Sequence, residues 1–248
     1  MFRAVYQYRN IWRRASAVSV IITNYNYERF ILECLESLLN QQLKGFELHI
    51  VDDHSTDNSL EIIRNWSFQN RKKFKKISLL AMHKNSGPAI ARNVGIQQST
   101  GRYCFMLDAD NILFPNCLNK LVDALDNSSA EFSYSIISKF DMVEECLCFL
   151  PWDTERLRNG NYIDTMAMVR KSWFQKIGYY SNNPCTKLGW EDYDLWIKTA
   201  LNGGRGILVP QILAKYRVHP TSRSFTTQNP NAEFLRKILK EEYPAFWG

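Results

Sequence analysis

Glycine-rich phosphate cradles are missing from this sequence. No GxGxxG follows the first apolar run, and no GxxxxGK(S/T) occurs anywhere in the 248 residues. That excludes the usual dinucleotide and P-loop sites. There is no apolar run long enough to cross a bilayer as a helix, and the opening residues MFRAVYQYRNIWRRAS lack the apolar core of a secretory leader. The six cysteines (Cys34, Cys104, Cys117, Cys146, Cys148, Cys185) stand at unrelated spacings. Cys146-x-Cys148 has no partner pair at zinc-ligand spacing. These absences read as reduced thiols in a cytoplasmic protein. No basic block interleaved with aromatics appears in the body of the chain, so nucleic acid is not an expected partner. The densest positive run, Arg71 to Lys76 (RKKFKK), reads as a solvated loop within a net charge of only +6. The first fifteen residues combine Arg3, Arg9, Arg13 and Arg14 with Phe2, Val5, Tyr6, Ile11 and Trp12. They suit a basic amphipathic helix, either packed on the protein, linking it to a longer chain, or resting peripherally at a membrane surface.

What the sequence does contain is a strand–helix alternation. Val18 to Thr23 is a β-branched run; Glu28 to Gln42 carries Phe30, Ile31, Cys34, Leu35, Leu38 and Leu39 on one helical face. Phe46 to Val51 is a second strand, followed by a helix capped by Ser55 or Thr56 and carrying Leu60, Ile62, Ile63 and Trp66. Ile77 to Met82 is a third strand, and Pro88 suits the first turn of a helix running to Gln98. Tyr103 to Leu107 is the fourth strand. Such alternation argues for a parallel sheet with right-handed crossovers. In such a sheet ligands sit outside the carboxyl ends of the strands. All four ends here are polar: Thr23-Asn24, Asp52-Asp53, His83 to Asn85, and Asp108-x-Asp110. Alone, Asp108 and Asp110 also match a loop that caps the next helix. Four polar ends on one edge describe a pocket in which the two carboxylates can converge on Mg²⁺ or Mn²⁺.

The second half is less regular. Glu131 to Phe140 reads as a strand, Asp141 to Leu157 as irregular, Asn161 to Arg170 as a strand, Lys171 to Ile177 as a helix and Tyr179 to Gly189 as a loop. Trp190-Glu191-Asp192-Tyr193-Asp194 opens a helix that runs to Asn202 and is stopped by Gly203-Gly204. Gly206 to Val209 and Ile212 to Val218 read as two strands. Acids in a first helical turn favour the helix dipole; beside Trp190 and Trp196 one of them also suits a general base. His219, at a strand end, reads equally as a satisfied structural histidine.

Taken in order, VSVIITNYN, HIVDDHSTD, GPAIARNVGI, MLDADN, GWEDYDLW and YRVH resemble a family 2 glycosyltransferase of the GT-A type, over Ser16 to Ser224. Asp52 to Asp57 resembles the family's DDxSxD segment, with His54 where glycine is common, and Thr23 stands where many members have proline. The resemblance implies a mostly parallel, Rossmann-like α/β sheet flanked by helices. Residues 16–111 would form the nucleotide-sugar half and 112–224 a mixed acceptor-side half, with extensions at 1–15 and 225–248. It implies a nucleotide-diphospho-sugar donor, UDP-linked above others, an acceptor hydroxyl on a glycan, a lipid-linked or another molecule, and Mn²⁺ or Mg²⁺. Carried over by position, Thr23, Tyr25, Asp53, Arg92, Asp108 and Arg217 would bind donor. Asp110, with Asp108 and His219, would bind metal. Asp192 would be the base of an inverting transfer, with Glu191 beside it. Two other readings stay open: a non-catalytic nucleotide-sugar-binding module, and a sugar nucleotidyltransferase. The latter favours a glycine-rich basic loop where this chain has Asn24-Tyr25-Asn26.

Overall fold

The computed structural model describes residues 1–12, 17–222, 226 and 229–248. Arg13 and Arg14 of the expected amphipathic helix lie outside the described residues, as do Ser16 and Ser224 at the ends of the resembling span.

The N-terminal segment is a strand, β1 (Phe2–Arg9), and the helical expectation is corrected. Its basic–apolar mixture has a period of two, with Phe2, Tyr6 and Tyr8 half-buried and Arg3, Gln7 and Arg9 exposed. Then follow β2 (Val18–Asn24), α1 (Ile31–Leu39), β3 (Glu47–Asp52), α2 (Ser59–Asn70), β4 (Lys76–Met82), α3 (Pro88–Gln98) and β5 (Tyr103–Asp108). Strands β4, β3, β2 and β5 lie side by side and parallel, and β1 pairs antiparallel with β4. Val20, Ile22, Leu48 and Ile50 are fully buried, as expected when helices cover both faces of a parallel sheet.

Helix α1 starts three residues later than the apolar pattern suggests. The Glu28 N–H donates to Asp57 Oδ2 at 3.0 Å instead of entering the helix. Nor do Ser55 or Thr56 cap α2. Ser55 Oγ donates to Asp52 Oδ2 at 2.6 Å, and Asp57 Oδ1 accepts the Ser59 N–H at 3.0 Å where the helix begins.

The chain continues through β6 (Ile112–Leu113), α4 (Cys117–Asp126), β7 (Phe132–Asp141), β8 (Cys146–Leu147), α5 (Thr154–Asn159), β9 (Met168–Arg170) and α6 (Lys171–Ile177). It ends with α7 (Pro184–Leu188), α8 (Glu191–Leu201), β10 (Gly206–Val218), α9 (Ala232–Glu242) and α10 (Pro244–Trp247). The sheet order is β1-β4-β3-β2-β5-β9-β7-β10-β6, with β8 pairing β7. Three expectations change here. Only Met168–Arg170 of the expected Asn161–Arg170 strand is extended. The expected 179–189 loop contains α7, whose Asn183 and Thr186 form a reciprocal capping box. The two expected strands at 206–218 are one, with the ladder slipping between Val209 and Ile212; Pro210, which has no N–H, sits in that irregularity. Leu235, Leu239 and Phe246 of the C-terminal segment are buried in the main core.

Strands β2, β3 and β4 wind in one direction, and β5 then returns to the other side of β2. The reversal opens a crevice beyond the ends of β2 and β5, where Thr23 stands level with Asp108. At the opposite ends a buried carboxylate ties the strands together. Glu47 accepts from Ser19 Oγ at 2.7 Å, Thr100 N at 2.8 Å and Thr100 Oγ1 at 2.5 Å. Burial raises its pKa, but hydrogen bonds from His49, Thr100 and Ser19 prevail and hold it below the ordinary range. Gly101 closes this knot. A Cβ there would stand 2.8 Å from both Ala17 O and Ser19 N, backbone atoms entering β2. Gly101→Ala should cost about 1–3 kcal/mol through overpacking, read as a lower urea midpoint at unchanged slope.

Candidate active site

The crevice holds a cavity of about 540 Å³ lined by residues from all four polar strand ends. Asp52 and Asp53, adjacent in sequence, do different work. Asp52 accepts from Asn24 Nδ2 at 2.8 Å and from Ser55 N at 2.9 Å, shaping the turn after β3. That turn places His54 at φ +70°, which explains why glycine suits this position. Asp53 accepts the Ser86 and Gly87 N–H groups at 2.8 and 2.7 Å, and so fixes the loop that feeds Pro88 into α3. Thr23 and Tyr25 also line the cavity, and Tyr25 is exposed at its rim.

Arg92, on α3, lies across the cavity floor with its side chain 4% exposed. Its Nη2 donates to Asp108 Oδ1 at 2.7 Å and its Nη1 to Glu191 Oε1 at 2.6 Å. One buried cation therefore joins the end of β5 to the start of α8. Burial works against the Arg92 charge, but Asp108 and Glu191 outweigh it and hold the guanidinium firmly protonated. Burial raises the Asp108 pKa, Asp110 and Glu191 add to that, and Arg92 opposes it.

Asp110 and His219 are 109 residues apart in sequence yet meet, with His219 Nε2 3.1 Å from Asp110 Oδ2. His219 is held on its other nitrogen by Thr221 Oγ1 at 2.9 Å and lies against Tyr27 and Phe30. Arg217, next to the cavity-lining Asp110 and Phe30, is held by a tight set of partners. Its backbone N–H donates to Asn111 Oδ1 at 3.0 Å, and its Nε donates to Asp110 O at 3.0 Å. Its two remaining nitrogens pair with Asp141 and Glu33. Arg217 thus holds the Asp108–Asn111 turn in place.

Asp192 follows Glu191 on α8 but does not share its arginine. Its Oδ1 accepts the Tyr193 N–H at 2.7 Å and its Oδ2 accepts Asn161 Nδ2 at 2.8 Å. Burial, then Glu191, then Asp164 push the Asp192 pKa well above the carboxylate range. Asp164 is pushed up to about 7 by burial and then by Asp108. Sequence reasoning placed Asn161 and Asp164 in a strand and missed them. The signal available was a polar pair in NYIDTM with no alternation to match a half-buried strand.

Among the described residues, no three His, Cys, Asp or Glu side chains converge as a metal cage. The Asp110–His219 pair offers one hard oxygen and one imidazole nitrogen. That donor set fits a divalent cation whose other positions are filled by phosphate oxygens and water. No helix among the described residues is long and apolar enough to cross a membrane.

The model of the family described as glycosyl transferase family 2 matches residues 19–178. A glycosyltransferase of Rickettsia bellii, described as uncharacterized, is 29% identical over 238 residues; these are 91% of this chain but only 32% of that protein. The crystal structure of S. aureus TarS 1-349 in complex with UDP-GlcNAc superposes with a TM-score of 0.73 at 20% identity, covering 85% of this chain and 61% of that one. The mannosyltransferase PcManGT of Pyrobaculum calidifontis, in complex with GDP-Man and Mn²⁺, gives 0.65 at 18% identity, covering 90% and 61%. These likenesses show a shared GT-A fold.

Arg92→Ala should be among the most damaging single changes. It leaves the buried Glu191 and the part-buried Asp108 without their cation, at a cost of about 3–5 kcal/mol. Asp108, already raised by burial, then binds its proton more tightly still in the folded state. The deficit should therefore be largest at neutral pH and shrink as pH falls through that raised pKa. Urea denaturation of wild type and variant across that range checks both size and sign.

Proposed function

From its membership of glycosyl transferase family 2, to which this chain belongs, we infer that it transfers a sugar from a nucleotide-diphospho-sugar, with UDP as the nucleotide, to an acceptor hydroxyl with inversion. The observation that carries this reading is the convergence at one crevice of the Asp108–Asp110 turn and Glu191, joined through Arg92, with Asp192 next along α8. Tyr25 supplies an exposed aromatic face at the rim for a base, and Thr23 and Asp53 lie beside it. Asp53 accepts the Ser86 and Gly87 N–H groups, and a carboxylate of this kind is the acceptor that would suit a uracil imide. The two solved neighbours were captured with UDP-GlcNAc and with GDP-Man and Mn²⁺, which supports a donor of this class.

Asp110 and His219 would hold the metal, and an imidazole in the set favours Mn²⁺ over Mg²⁺. Bound there, the cation would offset charge on the departing nucleoside diphosphate. The chain's own residues supply the rest. The acceptor oxygen attacks the anomeric carbon, the bond from that carbon to the diphosphate oxygen breaks, and the acceptor proton passes to the Asp192 carboxylate. A carboxylate that burial and neighbouring charge make more basic than usual is better matched to that task. Glu191, committed to Arg92, holds the start of α8 at the cavity. The acceptor is a glycan or another hydroxyl-bearing molecule.

Two variants test the assignment. Asp110→Ala should abolish the Mn²⁺-dependent part of UDP binding in isothermal titration; unchanged affinity would remove Asp110 from the metal. Asp192→Asn should keep UDP and Mn²⁺ affinity while turnover falls by about 10²–10⁴. Full turnover in Asp192→Asn would refute the base assignment, and a dead Glu191→Gln of wild-type stability beside it would transfer the role.

A further inference from the structure

We propose that the loop from Gly160 to Thr165 completes the catalytic base, with Asn161 as the positioning residue that orients the Asp192 carboxylate and Asp164 as the like charge set against it. The proposal rests on the reading of Asp192 as the base. It concerns two residues to which no role was expected.

The Asn161 amide has its orientation decided for it. Its Oδ1 accepts the Ile163 N–H at 3.2 Å, so its Nδ2 must face the other way, and there it donates to Asp192 Oδ2 at 2.8 Å. The second Asp192 oxygen is occupied by the Tyr193 N–H. With one N–H on each oxygen, the carboxylate plane is fixed. Each oxygen still has room for one more donor, such as an acceptor hydroxyl. Helix α8 also holds the loop and the helix before it: Trp196 Nε1 donates to Ile163 O at 2.9 Å, and Tyr193 OH donates to Leu157 O of α5 at 2.6 Å. Asp164 is held separately. Its N–H donates to Cys148 Sγ at 3.1 Å, and its Oδ1 accepts the Met166 N–H at 2.8 Å.

The two loop residues act on Asp192 in opposite directions. The Asn161 N–H stabilises the ionised form, and the Asp164 charge disfavours it. The other groups facing this pair are Glu191, which shares the sign of Asp164, and Arg92, which opposes it. Asp108 and Asp110 face Asp164. Cys148 and Tyr180 also lie within reach of the pair, but burial keeps the thiol and the phenol protonated. Together they set how strongly Asp192 binds its proton. The two settings sit on one four-residue stretch of loop and can be changed one at a time.

The test needs no substrate. Protein labelled with ¹³C at the aspartate carboxyls is titrated by NMR, and the Asp192 resonance is the one that vanishes in Asp192→Asn. Asn161→Ala should move its midpoint upward by about one pH unit, the worth of one hydrogen bond to a charged group. Asn161→Ser, which keeps a donor, should fall between. Asp164→Asn should move the midpoint downward. Unmoved midpoints, or shifts of the same sign in both variants, would overturn the proposal. If Asn161→Ala does not fold, Asp164→Asn and Asn161→Ser still decide it. Turnover separates this from the function itself: a fully active Asp192→Asn refutes the base, whereas an inactive Asp192→Asn with unmoved midpoints refutes only the loop's part.

Discussion

The guanidinium of Arg92 sits where the two halves of the molecule meet, and most of the crevice is arranged around it. A buried cation is tolerated only if its charge is matched and its donors are satisfied. Here the matching groups are Asp108, from the nucleotide side, and Glu191, from the far side of the chain. Arg92 reaches them because α3 is packed tightly on β2. A Cβ on Gly95 would collide with Ile21, so the helix lies closer to the sheet than a larger residue would allow. The approach begins at Gly87, whose N–H is held by Asp53. The line from Asp53 through α3 to Glu191 is thus a run of hydrogen bonds and ion pairs that holds both sides of the crevice.

Arg217 is a second buried arginine with a similar economy. It spreads one charge over Asp141, Glu33 and the Asp110 carbonyl, and its face lies over Phe30 and Phe140. By resemblance it would bind donor, close to His219. In the structure its contribution is to stiffen the turn that carries Asp110. Position in a motif therefore does not distinguish a residue that touches ligand from one that holds the residue that does. The difference lies in where the remaining donors point.

The parallel half was readable from sequence because its signals are local. β-Branched runs, a proline at the first turn of α3 and an apolar helical face are each decided within about a dozen residues. Helix α3 agrees with its expected bounds at both ends. What was not readable depended on distant partners. β1 is a strand because β4 offers it an edge some seventy residues away. The stretch 161–167 is not a strand because Trp196 and Asp192 take up its polar groups. β10 survives Pro210 because the ladder can slip there. Of the site, the acidic and histidine residues at strand and helix ends were visible as chemistry. Asn161 and Asp164 were not, since an amide and an acid in a loop carry no pattern until the carboxylate they face is known.

The pairing of β1 with β4 also sets a problem of timing. Phe2 meets Met82 and Arg9 meets Lys76, so β1 leaves a ribosome before its partner and waits while that partner is made. At about 5–20 residues per second, that interval is about 4–16 s. During it β1 is an unpaired ribbon with aromatic residues on one side. Its exposed side carries Arg3, Gln7 and Arg9, and its ladder is irregular between Ala4 and Tyr6. Charge and a bulge are what keep a lone strand from recruiting the wrong neighbour. The same features that make this segment look like a poor strand on paper make it a safe one to synthesise ahead of its partner.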